Sequence, residues 1–512
     1  MSNVVSDNLH KLVKSLTKAE KRYFKVFSSR HIIGDNNNYE LLFDAIDKQE
    51  VYDEEKLLRK FKDKSFTQRF SISKNRLYAA ILKSLDSFHG ESSIQAQLHK
   101  QLHAIEILYH KSLYDQCLKL LNSARKIAEN HECFLLLMEI QRWEKRVLEK
   151  DHYEANPGAD ELNDLASRDK KVLQQIDAFN QMWQAKSVIF TQIYRQGKVR
   201  DAAHVQMLNE ALHTVKDIVQ WAPQSVELSY QCNHIHAAFY FAQGDYANCY
   251  LYLMHNIELI NQRRELFKAD PSVFLSVLSN AVHVAMRLGK WEEAGEWSKQ
   301  MKDLPAILEI TPSEDLEIKI FTVAMSTQLT LHAQKGEFEM ASILVPQLEF
   351  GLKKMDDKIS SVRRAQLYFN MAVILFGAEK PSEALKYINK LLNQVDIDKS
   401  KDIHCMAQIF NLVIHLELGN TELLPYALRS TQRFLETRSR TFQFESTILE
   451  FVNECLKKRQ SKTIDELYAQ LVIDLEVLQN HPFEKTVFEY FDFLSWAKSK
   501  VEGKRFREMV SV

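Results

Sequence analysis

The chain has 512 residues, 45% of them apolar, and its 67 basic and 68 acidic side chains leave a formal net charge of −1. That balance excludes a disordered chain and any global attraction to nucleic acid or anionic lipid. With only 12 Gly and 9 Pro, residues that break helices and build tight strand turns, it also argues against a β-sandwich or a βαβ enzyme and for long helices with short connections.

At the N-terminus, 17 Lys/Arg stand against 12 Asp/Glu in the first 90 residues. Thr17 and Glu20 have capping-box spacing ahead of a helix carrying Tyr23, Phe24 and Phe27. Asn36–Asn38 mark a turn before a helix over Tyr39–Asp47. A third helix starts at Asp53, and a fourth near Ser73 with Leu77, Ile81, Leu82 and Leu85 on one face. The expectation is a small helical domain or cap over residues 1–92. Its basic residues Lys56, Arg59, Lys60, Lys62, Lys64, Arg69, Lys74 and Arg76 can be read as two helices around a turn, a possible nucleic-acid patch. The competing reading is a solvated face, because Asp53, Glu54 and Glu55 adjoin them and exposed Lys and Arg usually only solubilise.

From residue 93 to 480 one turn design recurs: a glycine, an aromatic two positions later, and a small residue three beyond that. It is clearest in Gly289-Lys290-Trp291-Glu292-Glu293-Ala294. Gly244, Tyr246, Cys249 and Gly336, Phe338, Ala341 repeat it. Gly197, Val199, Ala202 and Ser112, Tyr114, Cys117 are weaker members, and Glu379, Pro381, Ala384 and Gly419, Thr421, Leu424 are degenerate ones. A glycine ends the first helix of a hairpin in the left-handed conformation at low steric cost. The aromatic plugs the hairpin base, and the small residue lets the second helix come close. The segments between turns carry helical stripes, such as Val277, Leu278, Ala281, Ala285 and Leu288.

This design resembles the tetratricopeptide repeat, whose consensus has Gly, Tyr and Ala at these offsets. Turns from Gly197 onward are 40–47 residues apart, longer than the ~34 of the standard repeat. The expected helices therefore run about 18–20 residues. The Trp and Gly of the consensus first helix are missing from most repeats. A turn between Ser112 and Gly197 is expected in Asp151–Asp160, and another near Ser461–Glu466. The resemblance implies an all-α fold: a right-handed α-α superhelix with the N-terminal helical domain at one end. A C-terminal capping helix over residues 481–512, rich in Phe483, Phe488, Tyr490, Phe491, Phe493 and Trp496, would close the other end.

Motifs of catalysis are missing: there is no phosphate loop, GxGxxG or GxSxG, and His131-Glu132 does not continue to HExxH. His99, His103 and His110 share one helix without a completing Cys or carboxylate pair, and read as a solvated face. Cys232, His234 and His236 split between two faces. The series Asp396, Asp398, Ser400, Asp402 lacks the Gly and Glu that a calcium loop needs. No metal, cofactor or catalytic residue is expected. Six scattered cysteines without a CxxC pair fit a reducing compartment. No leader-like or membrane-spanning stretch is evident, so the expected location is cytoplasmic.

If the resemblance holds near each turn, it implies a concave groove presenting Tyr194 and Arg195, then His234 and Phe241, then His283, Met286 and Arg287. Aromatic, Met and Arg side chains are what interfaces favour. The next repeats would present Phe369, Val373 and Phe376, then Ile409, Val413 and Leu416. That patch is too apolar to lie open to water, so either the C-terminal aromatic segment or a partner helix covers it. The basic residues with which some tetratricopeptide domains clamp a terminal carboxylate are not matched. The expected function is a non-enzymatic scaffold or adaptor that binds a protein or peptide partner, with no membrane partner. The alternative is a nucleic-acid-associated regulator with a basic N-terminal domain and a sensing solenoid.

Overall fold

The computed structural model describes residues 7–29, 38–90, 93–152, 159–196, 198–199, 202–222, 225–355, 358–394, 402–438, 440–457 and 463–510. The protein is all-helical, and no strand occurs among these residues. The chain divides into two compact units, Met1–Leu173 and Gln174–Val512.

In the first unit, helices Asn8–Ser15, Lys18–Ser29, Asn38–Asp47, Glu54–Lys60 and Phe70–His89 surround a core of Val13, Phe24, Phe43, Ile46, Leu57, Leu77 and Ile81. The Thr17 capping box forms: Glu20 N–H donates to Thr17 Oγ1 at 3.2 Å, and Thr17 N–H donates to Glu20 Oε2 at 2.7 Å. Asp53 caps the next helix by accepting from Lys56 N–H at 2.9 Å. Helices Ile94–His110, Tyr114–Asn130 and Phe134–Val147 follow, each packed on the next.

The hairpin turns form where the residue pattern places them. Ser112, Gly244, Gly289, Gly336, Glu379 and Gly419 all have left-handed backbones, with φ between 60° and 73°. Gly197 and Ser461 lie outside the described residues. Gly289 N–H donates to the Met286 carbonyl at 3.1 Å, and Lys290 N–H to the Ala285 carbonyl at 2.9 Å. The same pair of bonds recurs at the other five turns, satisfying carbonyls that the helix end leaves open. Tyr114, Tyr246, Trp291, Phe338 and Pro381 each start the following helix. Cys117, Cys249, Ala294, Ala341 and Ala384 are buried beneath them. Glu132 and Glu309 are also left-handed; they carry no glycine, and the pattern does not reveal them.

In the second unit, helix Pro271–Arg287 packs on Glu314–Gln334, which packs on Ser361–Gly377; that helix packs on Asp402–Glu417, which packs on Gln443–Leu456. Helices Trp291–Lys302, Phe338–Ser342, Pro381–Leu392 and Leu424–Glu436, which lie between them, each pack on both flanking partners.

Two expectations need correction. Helix Ala159–Gln196 has 38 residues, about 57 Å at 1.5 Å per residue, not 18–20. No Gly or Pro interrupts it, and its buried stripe of Ala178, Met182, Ala185 and Ile189 is continuous. The C-terminal segment is not one capping helix. It is a 3-10 turn, Lys485–Glu489, then helix Phe493–Glu502, a left-handed Gly503 and the short helix Phe506–Met509. Its aromatic residues occupy separate sites, which a single helical stripe does not allow.

Candidate interaction surface

The surface begins on helix Ala159–Gln196. Trp183, Phe190 and Tyr194 stand at i, i+7 and i+11, one helical face. Trp183 and Tyr194 are 66% and 62% exposed. Helix Val226–Gln243 places Tyr230, His234 and Phe241 on its facing side at the same kind of spacing. The rings form a stack: Tyr230 to His234 at 5.5 Å, His234 to Phe190 at 5.0 Å, and Phe190 to Tyr194 at 5.8 Å, with interplanar angles of 16°, 24° and 30°. His234 is half-buried but closely surrounded by protein, and burial draws its pKa down to about 4, with Lys186 adding to the effect. It is neutral at neutral pH, and the stack carries no charge.

Toward the turns the same face holds a compact charged cluster. Lys198 and Tyr246 both bond to the Glu489 carboxylate. Arg287 lies 3.8 Å from that carboxylate and donates to the Glu489 carbonyl at 3.0 Å. Burial alone would raise Glu489, but Lys198 and Arg287 hold it below the usual carboxylate range. Burial pulls Lys198 down to about 8 against the pull of Glu489, and the shared Arg287 reinforces the fall. Two cations thus share one carboxylate. His283 is drawn to about 3 by burial and then by Arg287.

Glu489 belongs to the C-terminal strap, which runs along this face. Lys485 and Thr486 lie against Gly244. Tyr490 meets Phe369 at 6.1 Å. Phe491 meets Phe376 at 5.4 Å and Phe410 at 4.6 Å. The strap then turns back: Arg505 pairs with Glu379 at 3.3 Å, Phe506 packs on Phe338 at 5.4 Å, and Arg507 pairs with Glu339. The tail therefore covers the apolar patch of Phe369, Val373, Phe376, Ile409 and Val413, all buried, with Leu416 partly buried beside them.

Of the groove residues read from sequence, Tyr194 and His234 join the ring stack, of which Tyr194 alone is exposed, and Phe241 and His283 pack edge to face at 5.8 Å. Met286 is buried and Arg287 is engaged by Glu489, so neither is freely presented. The Arg195 side chain lies outside the described residues. The sequence reading missed Phe190, Lys198, Tyr246 and Glu489. The i, i+4 spacing of Phe190 and Tyr194 was the available signal for the first of them.

In the first unit, Lys56, Arg59, Lys60, Lys62, Arg69 and Arg76 are exposed. Lys64 is half-buried, and Lys74 is tied to Glu54. Arg59 has an exposed pair with Glu55 at 3.3 Å. His99, His103 and His110 are exposed, and His103 lies 3.5 Å from Glu106. His236 bonds to the Cys232 carbonyl at 2.9 Å and stacks on Tyr252 at 4.5 Å. Among the described residues no three His, Cys, Asp or Glu side chains converge as metal ligands, and no helix is long and apolar enough to cross a membrane. The calcium-like series lies outside the described residues up to Asp402, which pairs with Arg440.

Compared with known families and with curated proteins, the chain matches no family model and no curated relative.

Proposed function

We propose that the chain is a non-enzymatic scaffold or adaptor, a tetratricopeptide-like solenoid whose inner face receives a peptide or helix of a partner protein. The observation that carries this reading is the strap. An irregular segment is already held on that face by a clamped carboxylate and by aromatic contacts, which are the means by which a partner peptide is held. Successive hairpins that bury one another's apolar faces are how repeat proteins build such surfaces. Aromatic residues left exposed beside the strap fit a binding role better than a solubility role. The test is affinity purification of the full chain from its native cell with nuclease present, beside a Phe190→Ala/Tyr194→Ala double variant. A stoichiometric protein retained by the parent chain and lost by the variant supports the reading. Identical partners with both chains remove the inner face from the function.

A nucleic-acid-associated regulator is the second reading, favoured by the exposed set Lys56, Arg59, Lys60, Lys62, Arg69 and Arg76. It requires salt-sensitive binding of duplex DNA or RNA by the full chain, weakened by Lys60→Glu and Arg76→Glu. A flat gel-shift titration at low salt removes it.

A further inference from the structure

The last stretch of the strap is held differently from the rest of it. Phe491, Phe493, Leu494 and Trp496 are buried and belong to the core of the second unit. From Val501 to Val510, around the left-handed Gly503, no residue is buried. One ring and two arginines fasten this tail. Phe506 enters a recess of three buried rings, Phe338, Phe376 and Phe491, at centroid distances of 5.4, 6.0 and 5.1 Å. Arg505 pairs with Glu379 at 3.3 Å, and Arg507 pairs with Glu339. A hydrogen bond from Ser495 Oγ to the Met509 carbonyl, at 3.1 Å, adds to them.

The two acids stand on successive hairpins. Glu339 is in the first turn of helix Phe338–Ser342, and Glu379 is the left-handed residue ahead of helix Pro381–Leu392. Neither has another cation partner among the described residues. Both acids and Arg505 are more than half exposed, so water and salt weaken the two pairs. The tail also covers its surroundings incompletely. A cavity of about 120 Å³ stays open between Arg507 and Met340, and Met340 and Ile343 are 58% and 76% exposed. The tail is therefore a loosely held occupant of an aromatic recess with an acid on either hairpin. We propose that this recess docks a partner segment in which an aromatic side chain lies between two arginines, the chemistry of Arg505-Phe506-Arg507, in exchange for the tail. This rests on the scaffold reading and assigns the partner's chemistry. A segment that continues in apolar residues also covers Met340 and Ile343, which the tail leaves to water. Only molecules whose tail is away can bind, so the tail lowers the apparent affinity. Two carboxylates at the recess disfavour nucleic acid and anionic lipid.

The experiment uses the full chain and fluorescence anisotropy with three labelled peptides, identical except for a core of Arg-Phe-Arg, Arg-Ala-Arg or Glu-Phe-Glu. Two variants loosen the tail independently, Phe506→Ala and the double variant Arg505→Ala/Arg507→Ala. A third, Phe506→Ala/Glu339→Gln, also alters the recess. Circular dichroism checks that each keeps the parental helix content. The Arg-Phe-Arg peptide is expected to bind the parent chain saturably and both loosened chains roughly tenfold more tightly. On the Phe506→Ala chain, the Arg-Ala-Arg and Glu-Phe-Glu peptides are each expected to bind roughly tenfold more weakly than Arg-Phe-Arg. Glu339→Gln is expected to cost the Arg-Phe-Arg peptide a few-fold in affinity. Equal affinity for the parent and both loosened chains overturns the location, because the peptide then binds away from the tail. Equal binding of the three peptides to a loosened chain overturns the chemistry and leaves the scaffold reading standing. No binding of any peptide to any chain overturns the proposal, whereas the scaffold reading falls only if the Phe190→Ala/Tyr194→Ala chain retains the same partners.

Discussion

A β-carbon on Gly377 would overlap the ring of Phe338, the aromatic that starts the second helix of the preceding hairpin. Gly377→Ala is expected to cost roughly 1–3 kcal/mol through overpacking. Gly295 lies inside a helix with nothing within 4 Å of the same hypothetical atom, and Gly295→Ala is expected to stabilise by about 0.5–1 kcal/mol. Urea unfolding of the two variants checks the contrast; equal signs would mean that the Phe338 contact does not limit the fold. His234 and His283 supply a pH prediction. Their folded values of about 4 and about 3 lie below the ordinary 6.5. The unfolded chain therefore binds protons that the folded chain does not. Their stabilisation is present above the ordinary value and is lost as pH falls through it toward the folded values. His234→Phe keeps a ring in the stack and removes one titrating site. Its urea midpoint is expected to fall less than that of the parent chain between about pH 7 and about pH 5; an equal fall refutes the assignment.

At the scale of the element, the hairpin turn is the unit, and its cost depends on which residue takes the left-handed position. Ser112 and Glu379 adopt it at φ 60° and 61° despite their β-carbons. Ser112→Gly is expected to stabilise by about 1 kcal/mol, the relief of that strain less the greater chain entropy of glycine. Gly289→Val goes the other way, by roughly 1–2 kcal/mol, because a β-branched side chain resists positive φ. Thermal unfolding tests both, and a Gly289→Val chain of unchanged stability would show that the turn relaxes at no cost. These turns were readable because their requirements lie within about five residues. Glu132 and Glu309 escaped for the same reason: without glycine, nothing local marks them. The break at Ile343 between helices Phe338–Ser342 and Leu344–Lys354 also has a local cause, since Pro346 cannot donate to the carbonyl of Ser342.

For the second unit as a whole, the decisive contact joins the face to the strap. Glu489→Ala leaves Lys198 and Arg287 half-buried without their shared carboxylate. A destabilisation of roughly 3–5 kcal/mol is expected, as for breaking a buried ion pair from one side. Replacing Lys198 by Met in the same chain is expected to restore part of it, because one orphaned charge is gone. Urea unfolding of the single and double variants measures this, and simple additivity of the two losses would show that the residues do not act together. Charge reversal at Arg287 is expected to unfold this cluster before it reports on any partner.

The amino-acid sequence alone determined the helical class, the six described hairpin turns and the small residues buried beneath them. Each depends on spacing along one helix or on the hydrogen bonds of one turn. The groove residues Tyr194, His234, Phe241 and His283 come from the tetratricopeptide resemblance, not from periodicity; in the structure Tyr194 and His234 both stack on Phe190, and Phe241 packs on His283. Only the tertiary structure decided which of these residues stays exposed. Lys198 and Glu489 are 291 residues apart, and no periodicity links them. A long-range ion pair forms where two backbones happen to be brought together, and local pattern carries no record of that. The same limit hid the 38-residue helix. Its length follows from an uninterrupted stripe, but the expectation of a regular repeat came from its neighbours. Packing across the whole unit decided that Arg287 and the apolar patch serve the tail, while Tyr194 stays exposed at the end of a stack whose other rings, Phe190 and His234, are half-buried.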